Sequence, residues 1–157
     1  KELGFEYKDL DTLFSQSDVV TFHVPYSENT HHMLNKENIM DTKPGAFIIN
    51  TSRGGVIETE ALVYALENKH LAGAALDVLE EEGIIKDEQH YLLEETPSQD
   101  ELETLLGNHI LIDMPNVIIT PHNAFNTKEA KERILDTTVS NLLSFQDGNP
   151  INKVVSR

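Results

Sequence analysis

Two side chains lie shortly after apolar segments and could do chemistry there, one by binding an anion and the other by transferring a proton. Arg53 precedes Gly54 and Gly55, which permit close backbone approach and positive φ. An arginine there can bind a carboxylate through two parallel hydrogen bonds, and an ordinary surface arginine is the alternative. His122 follows Pro121, which restricts the chain just before it. Imidazole titrates near neutral pH, so His122 is a candidate acid or base, and a hydrogen-bonded loop histidine is the alternative.

Acidic residues follow a third apolar segment. Glu80, Glu81 and Glu82 are consecutive, and a carboxylate beside His122 would stabilise its protonated form and orient its ring. The residue types do not choose among these three acids, and three solvated carboxylates are the alternative. Asp77 ends the apolar segment itself, where it could face a cofactor or cap the next turn.

Metal and thiol chemistry are not indicated. His31 and His32 are adjacent, so their side chains diverge, and no third ligand is placed beside them. The sequence contains no cysteine, which excludes disulfide scaffolds, thiolate metal sites and cysteine nucleophiles. This composition is compatible with a reducing compartment, and we expect a cytoplasmic protein.

The net charge restricts the classes of partner. Twelve Lys and Arg stand against 27 Asp and Glu in 157 residues, giving a formal charge of −15. Phosphate binding needs clustered basic residues, so nucleic acid and anionic membranes are not expected as partners. Residues 80–105 hold ten of the acids and one lysine, so most of the charge belongs to one segment. The longest apolar runs are far shorter than the roughly 20 residues of a membrane-spanning helix.

Four short apolar runs predict strands buried on both faces, as in a parallel sheet, because polar and apolar residues do not alternate in them. These runs span residues 19–24, 46–50, 72–78 and 117–120. Helical patterns lie between them, and the alternation predicts an α/β fold with a parallel sheet. Ligands of such sheets bind beyond the carboxyl ends of the strands. Arg53, Asp77 and His122 follow strand ends and are therefore expected on that side.

Helices are predicted from apolar spacing and capping residues. They span residues 9–15, a short segment capped by Asn35 and running through Met40, residues 58–68, and a long segment from Thr127 to residue 148. Between Glu80 and Met114 the pattern degrades. There we expect a solvated loop with one or two short helices, anchored by Leu102, Leu105 and Leu106. Residues 3–7 are expected to form an edge strand.

Several stretches, in order, resemble the D-isomer-specific 2-hydroxyacid dehydrogenases, particularly the D-lactate and vancomycin-resistance-type members. The matching stretches are residues 23–25 with Thr30, and residues 40–45, 47–55, 73–80 and 115–122. The resemblance implies an incomplete Rossmann-like parallel sheet with flanking helices. Residues 1–148 would be the second part of an NAD-binding domain, and residues 149–157 a tail returning to a separate substrate domain.

The resemblance also implies roles for single residues. Arg53 would bind the substrate carboxylate and polarise the carbonyl, and His122 would donate a proton in reduction and accept one in oxidation. Glu82, by its spacing from Asp77, would be the carboxylate partner of His122. The residues implied to line the NAD cofactor are Val24, Pro25, Thr30, Thr51, Ser52, Arg53 and Asp77. The implied reaction is hydride transfer between NAD and a small 2-oxo acid, pyruvate- or D-lactate-like, in a homodimer or another self-associating protein.

Two features depart from the family pattern. Gly83 follows Glu82, where family members usually carry proline. No G-x-G-x-x-G turn, which would hold the cofactor pyrophosphate, occurs in the 157 residues, and we expect it before Lys1. The alternatives to an enzyme are a cofactor-sensing module of the corepressor kind and an inactive truncated fragment. The presence of Arg53, Glu82 and His122 favours catalysis over the cofactor-sensing module. The isolated 157-residue fragment is itself expected to be inactive, because it lacks the pyrophosphate turn.

Overall fold

The computed structural model describes residues 4–85, Tyr91 and residues 97–154, which fall into two compact units, Lys1–His122 and Asn123–Arg157. The first unit contains strands β1 (Val19–Phe22), β2 (Phe47–Asn50), β3 (Gly73–Leu76) and β4 (Val117–Ile119). Its helices are α1 (Leu10–Gln16), α2 (Thr59–Glu67), α3 (Glu82–Ile85) and α4 (Gln99–Asp113), with 3-10 turns at Ile39–Asp41 and Gly54–Val56. The second unit contains α5 (Lys128–Gln146).

The four strands form one parallel sheet in the order β1-β2-β3-β4. Each lies inside one of the four apolar runs, so the strand and fold-class predictions are confirmed. Phe22 pairs with Asn50, Asn50 with Leu76, and Leu76 with Ile119. The carboxyl ends of all four strands are therefore level, and the loops that follow them begin at one edge of the sheet.

One face of the sheet is buried by α2. The strands contribute alternate residues such as Ile48 and Leu76, and α2 contributes the predicted stripe that includes Leu62 and Ala65. On the other face, the exposed fractions are 51% for Val19, 48% for Phe47 and 65% for Ile118. The prediction of strands buried on both faces is therefore wrong for one face of the described sheet.

Two local predictions near the amino terminus fail. Residues 4–7 form no strand, and Leu3 lies outside the described residues. Asn35 does not begin a helix: its Oδ1 accepts from the Glu37 N–H at 2.9 Å, while its own N–H donates to Asn38 Oδ1 at 2.9 Å. These are bonds of the capping kind, and the Ile39 N–H also donates to the Asn35 carbonyl at 2.9 Å, but they close a single turn only. The segment then continues as the 3-10 turn at Ile39–Asp41.

Helix α4 is longer than the short helices expected there. Its buried residues are Leu105, Gly107, Asn108 and Leu111. Leu102 and Leu106 are exposed, so Leu105 alone of the three predicted anchors is buried. A Cβ added to Gly107 would lie 2.7 Å from Thr59 Cγ2, so α4 packs closely on the start of α2. A buried face that contains glycine and asparagine gives no apolar stripe in the sequence, which explains the failed prediction.

A capping box begins α4. Ser98 Oγ accepts from the Glu101 N–H at 3.2 Å, and the Ser98 N–H donates to Glu101 Oε2 at 2.8 Å. The bond from the Ser98 N–H, followed by the bond from its hydroxyl, holds the pKa of Glu101 below its ordinary value. The acid-rich start of α4 thus places negative charge where the helix dipole favours it.

Helix α5 of the second unit follows the predicted segment from Thr127. Thr127 is its N-cap, and Thr127 Oγ1 accepts from the Ala130 N–H at 3.1 Å. No residue of α5 is buried. Neither α5 nor any other helix in the described ranges is long and apolar enough to cross a membrane.

Close packing at β3 predicts a specific cost for Gly73→Ala. The added Cβ would lie 2.5 Å from the Asn116 backbone oxygen, and backbone cannot yield as a flexible side chain can. We expect a loss of about 1–3 kcal/mol in the free energy of unfolding, measured by urea denaturation. Gly83→Ala is the matched control, because no atom lies within 4 Å of its new Cβ. Equal stability of the two variants would contradict the packing described.

The lowered pKa of Glu101 predicts a pH-dependent contribution to stability. The folded state binds this proton more weakly than the unfolded chain, so the stabilisation is present above the ordinary carboxyl pKa and is lost as pH falls through the lowered one. Glu101→Gln should flatten the pH dependence of the urea midpoint between roughly pH 6 and pH 3. Glu28→Gln, in an exposed loop, should leave it unchanged. An unaltered pH dependence in Glu101→Gln would refute this assignment.

Candidate active site

The residues singled out in the sequence lie on loops at one edge of the sheet. Arg53 follows β2, Asp77 follows β3 directly, and His122 follows β4. The backbone also joins these loops, because the Asp77 N–H donates to the Asn50 carbonyl at 2.9 Å. In open α/β sheets this edge is where ligands bind.

His122 and Glu82 form a close pair. His122 Nδ1 lies 2.6 Å from Glu82 Oε1, and the two side chains are 32% and 31% exposed. His122 has a φ of +50°, and its N–H donates to the Thr120 carbonyl at 2.9 Å. Backbone in this region is uncommon for a residue with a side chain and often occurs at functional sites. A carboxylate at Nδ1 orients the ring and directs Nε2 to a reacting group.

The structure shows that the three consecutive acids, among which the residue types do not choose, have different surroundings. Glu82 reaches His122. Glu80 turns towards His32 and the start of α2, and Glu81 between them is exposed with a φ of +52°. The carboxylate that contacts His122 is therefore the one that the resemblance implied.

A cavity of about 200 Å³ borders the pair. Asp77, Glu82 and His122 lie on its wall, and Leu79, Ile112 and Ile119 give it an apolar lining. Asp77 is buried, and one of its carboxylate oxygens accepts from the Thr120 hydroxyl. Asp77, Glu82 and His122 thus share one small, largely apolar space.

Asn50 organises the turn that carries Arg53. This fully buried amide, the last residue of β2, donates through Nδ2 to the Arg53 carbonyl at 2.9 Å. Its Oδ1 accepts from the Ser52 N–H at 3.0 Å and the Ser52 hydroxyl at 2.9 Å. The residue types in the sequence predict no role for Asn50. The available signal was an amide at the end of an apolar strand, just before a glycine turn.

Arg53 itself is exposed at this edge. Its Nη1 donates to the Ser52 carbonyl at 2.7 Å, which leaves the remaining guanidinium donors for a ligand. Within residues 4–85, 91 and 97–154, no carboxylate forms an ion pair with Arg53. A free guanidinium at a ligand-binding edge is suited to an anionic group.

The residues implied to line a cofactor lie on the loops after β1, β2 and β3. Thr30 Oγ1 donates to the Pro25 carbonyl at 2.7 Å, which closes the first loop. Thr51 Oγ1 lies 3.3 Å from His23 Nδ1 on the neighbouring loop. The hydroxyls of Thr30 and Ser52 therefore hold their own loops in shape. The sequence predicts no role for His23 either, although its ring joins Thr21 of β1 to Thr51.

The chemistry of these loops fits a nicotinamide. Its amide N–H groups need acceptors, and the Asp77 carboxylate at the end of β3 is one. Its ring needs apolar contact, and the partly buried Val24 after β1 offers that.

A second, charged cavity of about 290 Å³ lies at the start of α2. Lys36 Nζ contacts Glu60 and lies 3.1 Å from Glu58 Oε1. Hydrogen bonds to Glu60 and then Glu58 raise the pKa of Lys36, and the bond to Lys36 lowers the pKa of Glu60. His32 and Glu80 border the same cavity, so the loops after β1 and β3 both contribute to its wall.

Comparison with known proteins places this geometry in a family. Residues 1–124 match the family model described as "D-isomer specific 2-hydroxyacid dehydrogenase, NAD binding domain". The chain is 42% identical over 149 residues to a D-specific alpha-keto acid dehydrogenase of Enterococcus faecium, covering 93% of this chain and 43% of that protein. It is 37% identical over 148 residues to a 2-hydroxyacid dehydrogenase homolog of Zymomonas mobilis, covering 94% and 42%.

A solved structure shows the same fold. The chain is similar to the D-lactate dehydrogenase of Aquifex aeolicus, whose crystal structure is a complex with NAD and lactic acid. The TM-score is 0.80 at 37% identity, over 98% of this chain and 46% of that one. The chain thus spans less than half the length of these relatives. On the family match and these identities, the chain belongs to the NAD-binding domain family of the D-isomer-specific 2-hydroxyacid dehydrogenases.

Proposed function

We propose that this chain is part of an NAD-dependent dehydrogenase that interconverts a small 2-oxo acid, pyruvate-like, and a D-2-hydroxy acid. The observation that carries the proposal is the 2.6 Å contact between His122 Nδ1 and Glu82 Oε1 at the carboxyl edge of a parallel sheet. In this assignment residues 1–148 belong to the NAD-binding domain, and residues 149–157 lead to a separate substrate domain.

His122 acts as the acid in reduction and the base in oxidation. Its Nε2 gives a proton to the carbonyl oxygen while C2 of the 2-oxo acid receives a hydride, so the products are the 2-hydroxy acid and oxidised cofactor. When bound, NADH would supply that hydride, and NAD⁺ would accept it in the reverse reaction. Glu82 at Nδ1 stabilises the imidazolium and fixes its ring, because the negative charge lies 2.6 Å away.

Arg53 binds the substrate carboxylate in this proposal. Its guanidinium has no carboxylate partner in the described part of the chain, and the Asn50 amide fixes its backbone. A two-bond contact would hold the 2-oxo acid in place beside His122. Asp77 accepts from the nicotinamide amide, and Val24, Pro25, Thr30, Thr51 and Ser52 shape the cofactor side of the edge.

Self-association is a further part of the proposal. Val19, Phe47 and Ile118 leave apolar side chains exposed on one face of a parallel sheet, a kind of face that is normally covered. We expect the 157-residue chain to form a homodimer or a larger assembly, which sedimentation velocity on this chain would measure. A clean monomer at high concentration would contradict it.

The role of His122 predicts a large effect on turnover. In the full-length enzyme, His122→Asn should lower kcat for NADH-dependent reduction of pyruvate by about 10²–10⁴-fold and leave NADH affinity within about threefold. His109→Asn, an exposed histidine on α4, is the control and should retain activity. Near-normal turnover in His122→Asn would remove His122 from the mechanism.

The role of Arg53 predicts an effect on substrate binding. Arg53→Lys keeps the charge and loses the planar pair of donors, so KM for the 2-oxo acid should rise at least about tenfold. Arg133→Lys, exposed on α5, is the matched control. Steady-state kinetics would show the difference, and unchanged KM and kcat in Arg53→Lys would count against the assignment.

A further inference from the structure

Glu80 has no role in the proposed reaction, yet its side chain is more enclosed than that of Glu82, at 12% against 31% exposed. Its Oε2 accepts from the Thr59 N–H at 3.1 Å and from the Thr59 hydroxyl at 2.9 Å. Its Oε1 lies 2.6 Å from His32 Nε2. A carboxylate with three hydrogen bonds is held in one position.

The contact with Thr59 ties Glu80 to a helix. Thr59 is the first residue of α2, and the N-cap residue Glu58 makes no side-chain capping bond. Glu80 supplies the missing acceptor from a distant loop, at the helix end where the dipole favours an anion. The loop after β3 is thereby attached to the helix that covers the sheet.

The contact with His32 ties Glu80 to the loop after β1. The prediction that the adjacent His31 and His32 side chains diverge is wrong, because the two rings stack with centroids 3.8 Å apart. His31 Nδ1 lies 3.0 Å from the Tyr26 hydroxyl. Tyr26 directly follows Pro25, in the loop proposed to face the cofactor. Glu80 therefore joins the cofactor side of the edge to the loop that carries Glu82.

The backbone around Glu80 is held as firmly as its side chain. Asn108 Nδ2 of α4 donates to the Glu80 carbonyl at 2.8 Å. A Cβ added to Gly54 would lie 2.1 Å from the Leu79 carbonyl group and 2.3 Å from the Glu80 nitrogen, so the Arg53 turn lies directly on this segment. Glu81 between the two acids has a positive φ, and the acids on either side of it contact different groups, Glu80 the start of α2 and Glu82 His122.

We propose that Glu80 is a positioning residue, whose contacts with Thr59 and His32 fix the loop so that Glu82 meets His122. This inference rests on the proposed function for its kinetic consequences. Glu80 itself contacts no reacting atom and acts through Glu82.

A double-mutant cycle in the full-length enzyme tests the proposal. Glu80→Ala should lower kcat about 10–100-fold with KM for NADH within about threefold. In a Glu82→Gln background the same substitution should lower kcat by less than about threefold, because the Glu82–His122 pair that Glu80 positions is already broken. Glu80→Gln keeps acceptors for Thr59 and should stay within about threefold of wild type. Glu81→Gln, which removes the neighbouring exposed charge, is the matched control and should be unchanged.

Independent effects would overturn the proposal. If the fold-loss of kcat in the double variant equals the product of the losses in Glu80→Ala and Glu82→Gln, Glu80 supports the fold and does not act through Glu82. If Glu80→Ala does not fold, Thr59→Val removes one of the three bonds, and its expected two- to fivefold loss of kcat must likewise vanish in the Glu82→Gln background.

A spectroscopic measurement separates this proposal from the proposed function. The ¹⁵N shifts of the His122 ring should change in Glu80→Ala in the same direction as in Glu82→Gln, and stay at wild-type values in Glu81→Gln. Absence of NADH oxidation with pyruvate or other 2-oxo acids by the wild-type enzyme would reject the proposed function and leave this readout intact. Wild-type His122 shifts in a folded Glu80→Ala variant would reject the role of Glu80.

Discussion

Parallel pairing of β1, β2, β3 and β4 in chain order is the constraint on which the site depends. Because each strand runs in the same direction and their ends are in register, the loops after them begin at one edge. Arg53, Asp77 and His122 are far apart in the sequence and near this edge in the fold. A slip of one residue in any pairing would turn the side chains of that strand to the opposite face.

Buried polar side chains then set the shape of the loops. Asn50 holds the Arg53 turn, Asn108 holds the Glu80 carbonyl, and Thr59 holds the Glu80 carboxylate. A buried polar group without a partner is costly, so each of these bonds disfavours alternative loop conformations. Asn108 Oδ1 is the exception among the described side chains, since it is buried and makes no hydrogen bond. Its Nδ2 bond keeps it at the contact between α4 and the loop.

The strands and α2 were predictable because their signals are local. A continuous apolar run or an amphipathic stripe indicates directly which residues are buried. The four runs predicted the strands in this way, and residues 58–68 predicted α2. The length of α4 was not predictable from periodicity, because Gly107 and Asn108 stand where apolar residues would have marked the buried face. The Asn35 segment differs from the prediction in another way: its capping bonds are present, but only a single turn and a 3-10 turn follow them. A capping residue indicates where a helix can begin and does not indicate how far it continues.

The fold class, the edge at which the site lies and the residue types that could bind a carboxylate and move a proton all follow from the amino-acid sequence. The residue types do not show which of Glu80, Glu81 and Glu82 contacts His122. Only the family resemblance points to Glu82. The contacts of these acids follow only from the folded chain, in which Glu80 reaches Thr59 and His32, and Glu82 reaches His122. Glu81 between them has a positive φ. The amino-acid sequence specifies which chemical groups are present and how far apart they lie along the chain. Which groups touch depends on backbone angles that the packing of α2 and α4 fixes.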